Sequence, residues 1–118
     1  MTRILVVDDD EEVGRLLEHV LLGAQYEVDR TYAVAGASSQ LERYSYELVI
    51  ADARLPDGTG MDVANRATAK GAKALIITGY AFMYPQLRGY DFLMKPVRPD
   101  ELLREVARLL GSATDRPT

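Results

Sequence analysis

Acidic, hydroxyl and ammonium side chains follow four short apolar runs of this sequence. Asp8 and Asp9 come after the first of these runs and Asp52 after the second, while Thr78 and Lys95 follow the other two. Carboxylates brought close together repel one another, and the pKa of at least one rises unless a cation is present. An all-oxygen set without His or Cys suits a hard cation. We therefore predict a site for Mg²⁺, or Mn²⁺, at the three acids.

Thr78 and Lys95 would add a hydrogen-bond donor and a positive charge to this metal site. A carboxylate can act as a covalent nucleophile toward a phosphoryl donor, while a metal ion and an ammonium group neutralise charge on the transferring oxygens. The set therefore favours transfer of a phosphoryl group onto a carboxylate. Taken alone, the first acids could also be a solvated helix start, and Thr78 could merely satisfy a strand end.

Strand and helix patterns alternate along the chain and would carry these groups to one edge of a sheet. The apolar runs are typical of buried strands, and apolar stripes with helical spacing lie between them. Five such alternations argue for a parallel sheet covered by helices on both sides, with ligands beyond the carboxyl ends of the strands. We predict strands at residues 5–7, 26–32, Leu48–Asp52, 74–78 and 90–94. We also predict four helices, with apolar stripes that begin at Val13, Val34, Met61 and Leu102, the last helix opening at Pro99.

The segment between Thr78 and Gly89 is short for a helical crossover. It contains ten residues, including Gly79 and Pro85, which is close to the minimum for a connection that carries a helix. We therefore expect the fourth helix of the fold to be short or absent.

Composition and length indicate one globular domain. The chain has 118 residues, 47% of them hydrophobic and 27% charged, and we place the domain at residues 1–112 with a C-terminal tail at 113–118. A net charge of −4 argues against direct binding of nucleic acid. No apolar run is long enough for membrane insertion, no signal peptide is apparent and cysteine is absent. These features favour a cytoplasmic protein.

Five motifs, in this order, resemble the receiver domain of response regulators in bacterial two-component signalling, over residues 3–111. They are Ile4-Leu5-Val6-Val7-Asp8-Asp9-Asp10, Leu48-Val49-Ile50-Ala51-Asp52, Leu55-Pro56-Asp57-Gly58-Thr59-Gly60, Ile76-Ile77-Thr78-Gly79 and Phe92-Leu93-Met94-Lys95-Pro96. The resemblance implies a flavodoxin-like, doubly wound sheet of five parallel strands in the order 2-1-3-4-5. It also implies a cis peptide bond before Pro96.

The resemblance makes Asp52 the phosphoacceptor of a phosphorelay. Asp8, Asp9 and Asp52 would hold Mg²⁺ together with the backbone carbonyl of Arg54. The side chain at the position of Arg54 influences the lifetime of the phosphoryl group in such domains.

The resemblance also assigns roles to the groups around the acceptor. Thr78 and Lys95 would stabilise the phosphoryl group, and Phe92 would be the switch aromatic, whose rotamer changes on phosphorylation. Taken by itself, Phe92 is more economically interpreted as a core residue.

The implied partners are proteins. A histidine kinase or a histidine phosphotransfer protein would supply the phosphoryl group, and a downstream protein target would receive the signal. No output domain is apparent, which favours a stand-alone signalling domain with only self-phosphorylation and self-dephosphorylation chemistry. Partner docking is expected at residues that flank the site, namely Val13, Leu17, Pro96, Val97 and Arg98.

Three other functions stay open at this point. The short crossover is compatible with a receiver that acts as a phosphorylation-independent adaptor. A small Mg²⁺-dependent phosphohydrolase would use Asp52 on an external ester, although no second acid or base is evident. A nucleotide- or flavin-binding module would need a Gly-rich or hydroxyl-rich loop after the first strand, where this chain has acids.

Overall fold

The structure, a computed structural model, describes residues 2–79 and 83–111. The described residues form seven strands and four α-helices. None of the described helices is both long and apolar enough to cross a membrane. The strands are β1 Arg3–Val7, β2 Glu27–Thr31, β3 Leu48–Asp52, β4 Arg54–Leu55, β5 Gly58–Thr59, β6 Lys73–Thr78 and β7 Phe92–Met94, and the helices are α1 Glu11–Gly23, α2 Val34–Arg43, α3 Gly60–Ala69 and α4 Pro99–Gly111.

Five of these strands make one parallel sheet in the order β2-β1-β3-β6-β7. Numbered within that sheet alone, this is the order 2-1-3-4-5, so the predicted architecture is confirmed. The two remaining strands, β4 and β5, form a small antiparallel hairpin directly after β3. The hairpin therefore begins where β3 delivers Asp52.

The helices cover both sides of the sheet in two pairs. Leu17 and Leu21 of α1 pack with Leu102 and Val106 of α4 in the core of one side. On the other side, α2 and α3 contribute the buried residues Val34, Ala37, Leu41, Val63 and Ala67. Alternate residues of the central strands β1 and β3 enter the two cores. Burial on both sides explains why these strands are continuous apolar runs.

The crossover between β6 and β7 is abbreviated, as predicted. Its described residues contain no α-helix, and a 3-10 helix, Pro85–Gly89, stands in its place. Leu87 of this helix is buried beside Ile76 of the sheet. The segment therefore covers part of the sheet without a full helix.

The last strand is shorter than predicted. The pattern indicated residues 90–94, whereas β7 contains three residues and has one buried side chain, Leu93. Tyr90 instead ends the 3-10 helix by donating its backbone N–H to the Leu87 carbonyl at 2.9 Å. Phe92 is exposed by 38%, so its interpretation as a core residue is wrong. The reason is that Phe92 lies on an edge strand, β7, whose neighbour Leu93 packs with α4, while the described part of the crossover provides a 3-10 helix and no α-helix to cover Phe92.

Candidate functional site

The sheet register brings the predicted groups together at the carboxyl ends of the strands. Val7 of β1 is paired with Ala51 of β3. Asp8 directly follows β1 and Asp52 is the last residue of β3, so the two acids lie next to each other on neighbouring strands. Thr78 ends β6 beside Met94 of β7, and Lys95 follows directly. The backbone N–H of Lys95 donates to the Thr78 carbonyl at 2.8 Å, which holds the two residues side by side. Four separate stretches of the chain thus meet at one edge.

Three carboxylates form a compact acid cluster, which consists of Asp8, Asp9 and Asp52. One carboxylate oxygen from each lies within 4.8 Å of the others. Asp8 is buried, Asp52 is half-buried and Asp9 is exposed. Solvent exposure within the cluster therefore increases from Asp8 through Asp52 to Asp9.

The buried carboxylate of Asp8 is only partly satisfied. Its Oδ1 accepts the backbone N–H of Asp10 at 2.9 Å, while its Oδ2 is buried without a hydrogen-bond partner. Burial, followed by the nearby charge of Asp52, raises the pKa of Asp8 to about 6, although the Asp10 N–H and Lys95 act in the opposite direction. A buried carboxylate oxygen without a hydrogen-bond partner lowers the stability of the folded protein unless a bound ligand interacts with it.

Lys95 is the cation that faces the acid cluster. Its Nζ lies 3.5 Å from Asp52 Oδ1 and 3.7 Å from Asp8 Oδ2. Burial raises the pKa of Asp52, and the charge of Lys95 together with the backbone N–H of Arg54 limits that rise. One ammonium group shared by two half-satisfied carboxylates leaves the cluster with excess negative charge.

The residues present fit a hard divalent cation. The donors are carboxylate oxygens, the ligand type that Mg²⁺ and Mn²⁺ prefer, and the unpartnered Oδ2 of Asp8 belongs to the same cluster. Asp8, Asp9 and Asp52 would hold the ion, with the Arg54 carbonyl as the predicted backbone ligand. Among the described residues, this is the one group of three or more acids placed to do so.

An open cleft of about 840 Å³ gives access to Asp52 from solvent. It is wide enough for a phosphoryl donor to approach the acceptor oxygen. Asp8 does not line it, which leaves that acid beneath the cluster. The lining residues are Asp9, Asp10, Asp52, Arg54, Leu55, Pro56, Thr78, Gly79 and Lys95.

Close packing fixes the chain on the far side of Asp52. Gly60, the first residue of α3, lies so near β3 that a Cβ there would be 2.5 Å from the Asp52 carbonyl oxygen. Its backbone N–H donates to the Ala53 carbonyl at 3.0 Å, and the Ala53 N–H donates to Ile77 at 2.9 Å. A glycine is required here because any side chain would displace the acceptor strand.

These features coincide with a family match. A family model described as a response regulator receiver domain matches residues 4–107. This chain belongs to that family. The receiver domain is 31% identical over 117 residues to the response regulator ArlR of Staphylococcus aureus, an alignment that covers 93% of this chain and 53% of ArlR. The chain therefore spans about half the length of the curated relatives it matches.

Solved receiver structures share the fold. The CheY-like receiver domain protein of Methanospirillum hungatei superposes with a TM-score of 0.86 at 29% identity, covering 98% of each chain. The response regulator TrrA of Thermotoga maritima, solved in complex with Mg²⁺-BeF, gives a TM-score of 0.83 at 33% identity over 93% of this chain and all of its own. The receiver domain of a Pseudomonas aeruginosa sensor histidine kinase, solved with magnesium in its active-site cleft, gives a TM-score of 0.81 at 25% identity. That match covers 93% of this chain and 98% of the other.

The residues predicted from the sequence to dock a partner are only partly accessible. Pro96 and Arg98 are exposed and Val13 and Val97 are half-buried, but Leu17 is 2% exposed and lies in the core with α4. The apolar stripe of α1 is wider than its buried face, so spacing alone did not separate Leu17 from Leu16, which is 46% exposed. Leu16 therefore replaces Leu17 in the docking hypothesis.

The Lys95–Pro96 bond is cis, as the resemblance implied.

Two acids near the site accept backbone N–H groups at helix starts, and the sequence interpretation missed the second of these roles. Asp10 caps α1 by accepting the backbone N–H groups of Glu12 and Val13. Asp57, on the hairpin after Asp52, accepts the N–H groups of Val34 and Ala35 at the start of α2. Asp10 was recognisable as an acid before a helix, whereas the contact of Asp57 spans 23 residues and has no local signal.

Proposed function

We propose that the protein is a phosphoacceptor receiver domain in which Asp52 takes a phosphoryl group and the phosphorylated protein signals by binding another protein. One observation carries the choice of acceptor. Asp52 is the acid that both lines the cleft and lies 3.5 Å from Lys95 Nζ, beside Thr78. Asp8 is buried below the cleft, and Asp9 is the exposed member of the acid cluster.

The proposed reaction is a transfer from nitrogen to oxygen. A carboxylate oxygen of Asp52 attacks the phosphorus of a phosphohistidine, the new O–P bond forms and the P–N bond breaks. The electron pair of the broken bond stays on the imidazole nitrogen, which takes up a proton where the resulting imidazole requires one. Hydrolysis by water at phosphorus later returns the Asp52 carboxylate and inorganic phosphate.

The groups around Asp52 are placed to assist this transfer. Lys95 supplies positive charge to the phosphoryl oxygens once it is released from its pairing with the two carboxylates. The Thr78 hydroxyl, at the end of β6, supplies a hydrogen-bond donor on the same side. Bound Mg²⁺ would neutralise further negative charge on the phosphoryl oxygens. Asp8 and Asp9 serve to hold that ion.

The donor and target in this proposal are proteins. A histidine kinase or a histidine phosphotransfer protein is the proposed donor, a choice supported by the match to the response regulator receiver family. The proposed docking surface beside the cleft consists of the exposed residues Leu16, Pro96 and Arg98 and the half-buried residues Val13 and Val97. A cytoplasmic location and the absence of direct nucleic-acid binding by this chain belong to the same proposal. The net charge of −4 supports the second of these.

Turnover of external phosphoesters is not part of the proposed function. Outside the acid cluster, the described lining of the cleft includes the acid Asp10, which is engaged in capping α1, and Lys95, which is paired with Asp52 and Asp8. The site is therefore suited to one covalent transfer and its reversal by water.

Intact-mass spectrometry tests the proposal. The protein is incubated with Mg²⁺ and acetyl phosphate, and separately with a phosphorylated histidine donor protein. We expect the added mass of one phosphoryl group on the wild type, none on Asp52→Asn, and none with EDTA. Labelling of Asp52→Asn to the wild-type extent would contradict the choice of acceptor.

A further inference from the structure

Helix α2 lacks an N-cap of its own. The residue before it is Ala33, whose side chain cannot accept a hydrogen bond. The Asp57 carboxylate, from the β4–β5 hairpin, fills this place by accepting the N–H groups of Val34 at 2.7 Å and Ala35 at 3.0 Å. These two bonds lower the pKa of Asp57. A helix start is thus satisfied by a distant loop rather than by its own sequence.

The same first turn of α2 is fastened to the end of β2. Gly36 lies so close to Thr31 that a Cβ on Gly36 would be 2.0 Å from the Thr31 hydroxyl oxygen. Thr31 in turn accepts the backbone N–H of Asp8 through its carbonyl at 3.1 Å. The start of α2 is therefore linked by direct contacts to the buried acid of the cluster.

On its other side, Asp57 is linked to the acceptor strand. It lies in the turn of the hairpin, where Arg54 is paired with Thr59 and Leu55 with Gly58. Arg54 is the residue whose carbonyl is the predicted metal ligand. The contacts thus connect Asp8 through β2, α2 and the hairpin to Asp52. In this series, the carboxylate of Asp57 hydrogen-bonds the hairpin to the start of α2.

We propose that Asp57 is a positioning residue for the cation site: by tethering the hairpin to the start of α2, it sets the distance between the Arg54 carbonyl and the acid cluster. This inference rests on the proposed function for the identity of the cation as Mg²⁺. Outer contacts that orient metal ligands commonly change metal affinity when removed. The tether acts on the backbone rather than on a ligand side chain, so we expect a smaller effect, a weakening of Mg²⁺ binding of about 3- to 10-fold.

The experiment must separate tethering from simple capping of α2. Asp57→Ala removes both functions. Ala33→Ser combined with Asp57→Ala gives α2 its own hydroxyl cap but leaves the hairpin untied. Asp91→Ala is the matched control, because Asp91 is an exposed carboxylate with an ion pair of 2.8 Å to Arg108 and does not contact the hairpin.

Isothermal titration calorimetry with MgCl₂ on the full chain, without a phosphoryl donor, gives the decisive Kd, and urea unfolding gives the stability. We expect Asp57→Ala to lose stability and to bind Mg²⁺ about 3- to 10-fold more weakly. The double variant should recover stability while its Kd stays raised, and Asp91→Ala should bind Mg²⁺ as the wild type does.

Four results would overturn the inference. They are an unchanged Kd in Asp57→Ala, recovery of both Kd and stability in the double variant, an equal weakening in Asp91→Ala, and a wild type that binds no Mg²⁺. If Asp57→Ala does not fold, the double variant decides the question by the same criterion. A wild type that binds Mg²⁺ yet takes no phosphoryl group contradicts the proposed function alone.

Discussion

Asp8 is a carboxylate whose environment opposes its charge. The carboxylate is buried, one of its oxygens has no hydrogen-bond partner, and its pKa is raised to about 6. A carboxyl group whose pKa is raised by folding keeps its proton in the folded state over a pH range in which the unfolded chain has lost that proton. The folded protein therefore loses stability as the pH rises from about 4 to about 6, and the loss persists above that range.

Asp8→Asn should remove this cost in the metal-free protein. The amide keeps an acceptor for the Asp10 N–H and carries no charge. At pH 7.5 we expect the variant to be more stable than the wild type by about 1 to 3 kcal/mol, and the gain should disappear toward pH 4. Urea unfolding in EDTA at both pH values measures this.

Asp9→Asn is the matched control for this prediction, because it removes the same charge from the exposed member of the acid cluster. Its effect on the free energy of unfolding should be the smaller of the two. A gain for Asp8→Asn that is equal at pH 4 and pH 7.5 would show that repulsion and burial at Asp8 are not its cause.

At the scale of elements, α1 shows how a helical stripe divides into core and surface. Five apolar residues, Val13, Leu16, Leu17, Val20 and Leu21, satisfy the spacing of one face. Leu17 and Leu21 are fully buried, because they lie between the sheet and α4, whereas Leu16 points toward solvent. The two adjacent leucines therefore offer a paired test of the core.

Leu17→Ala should destabilise the protein by about 2 to 5 kcal/mol, since it leaves a cavity between α1 and α4. Leu16→Ala should change stability by no more than about 0.5 kcal/mol, but it should weaken transfer from a histidine donor protein if α1 forms the docking surface. Urea unfolding and donor-protein phosphorylation rates measure the two effects. Equal stabilities of the two variants would contradict the placement of α1.

The sequence was most informative where a local pattern has one structural consequence. Apolar runs that end in Asp52, Thr78 or Lys95 predicted both the strands and the edge at which those side chains meet, because parallel strands deliver their carboxyl ends to the same side. Patterns were least informative where distant packing decides. Neither the exposure of Phe92 nor the tether from Asp57 to α2 could be predicted, because each depends on which element lies opposite.

At the scale of the whole molecule, the acid cluster is expected to couple the free energy of unfolding to the binding of a cation. Asp8 and Asp9 follow β1 and Asp52 ends β3, so a cation held by all three acids would be bound by the folded protein and not by the unfolded chain. Binding that is restricted to the folded state stabilises it by about 2.7 kcal/mol when the free ion is at one hundred times its Kd. Mg²⁺ should therefore protect the entire domain from unfolding.

Thermal unfolding with increasing MgCl₂ tests this coupling. We expect the Tm of the wild type to rise continuously with Mg²⁺ concentration and to return to its initial value with EDTA. Asp52→Asn should show a clearly smaller rise, because it removes one ligand of the cluster. A Tm that responds equally in both proteins would place the bound ion elsewhere.

The central claim is that the phosphoryl group is carried by Asp52 and by no neighbouring acid. Borohydride reduction of the phosphorylated protein tests it most directly, because an aspartyl phosphate is reduced to homoserine and can then be located by peptide mass spectrometry. We predict homoserine at position 52 in the wild type, dependent on Mg²⁺, with Asp8, Asp9 and Asp57 unmodified. Homoserine at any of those three positions, or none at position 52 after labelling is seen on the intact protein, would contradict the account.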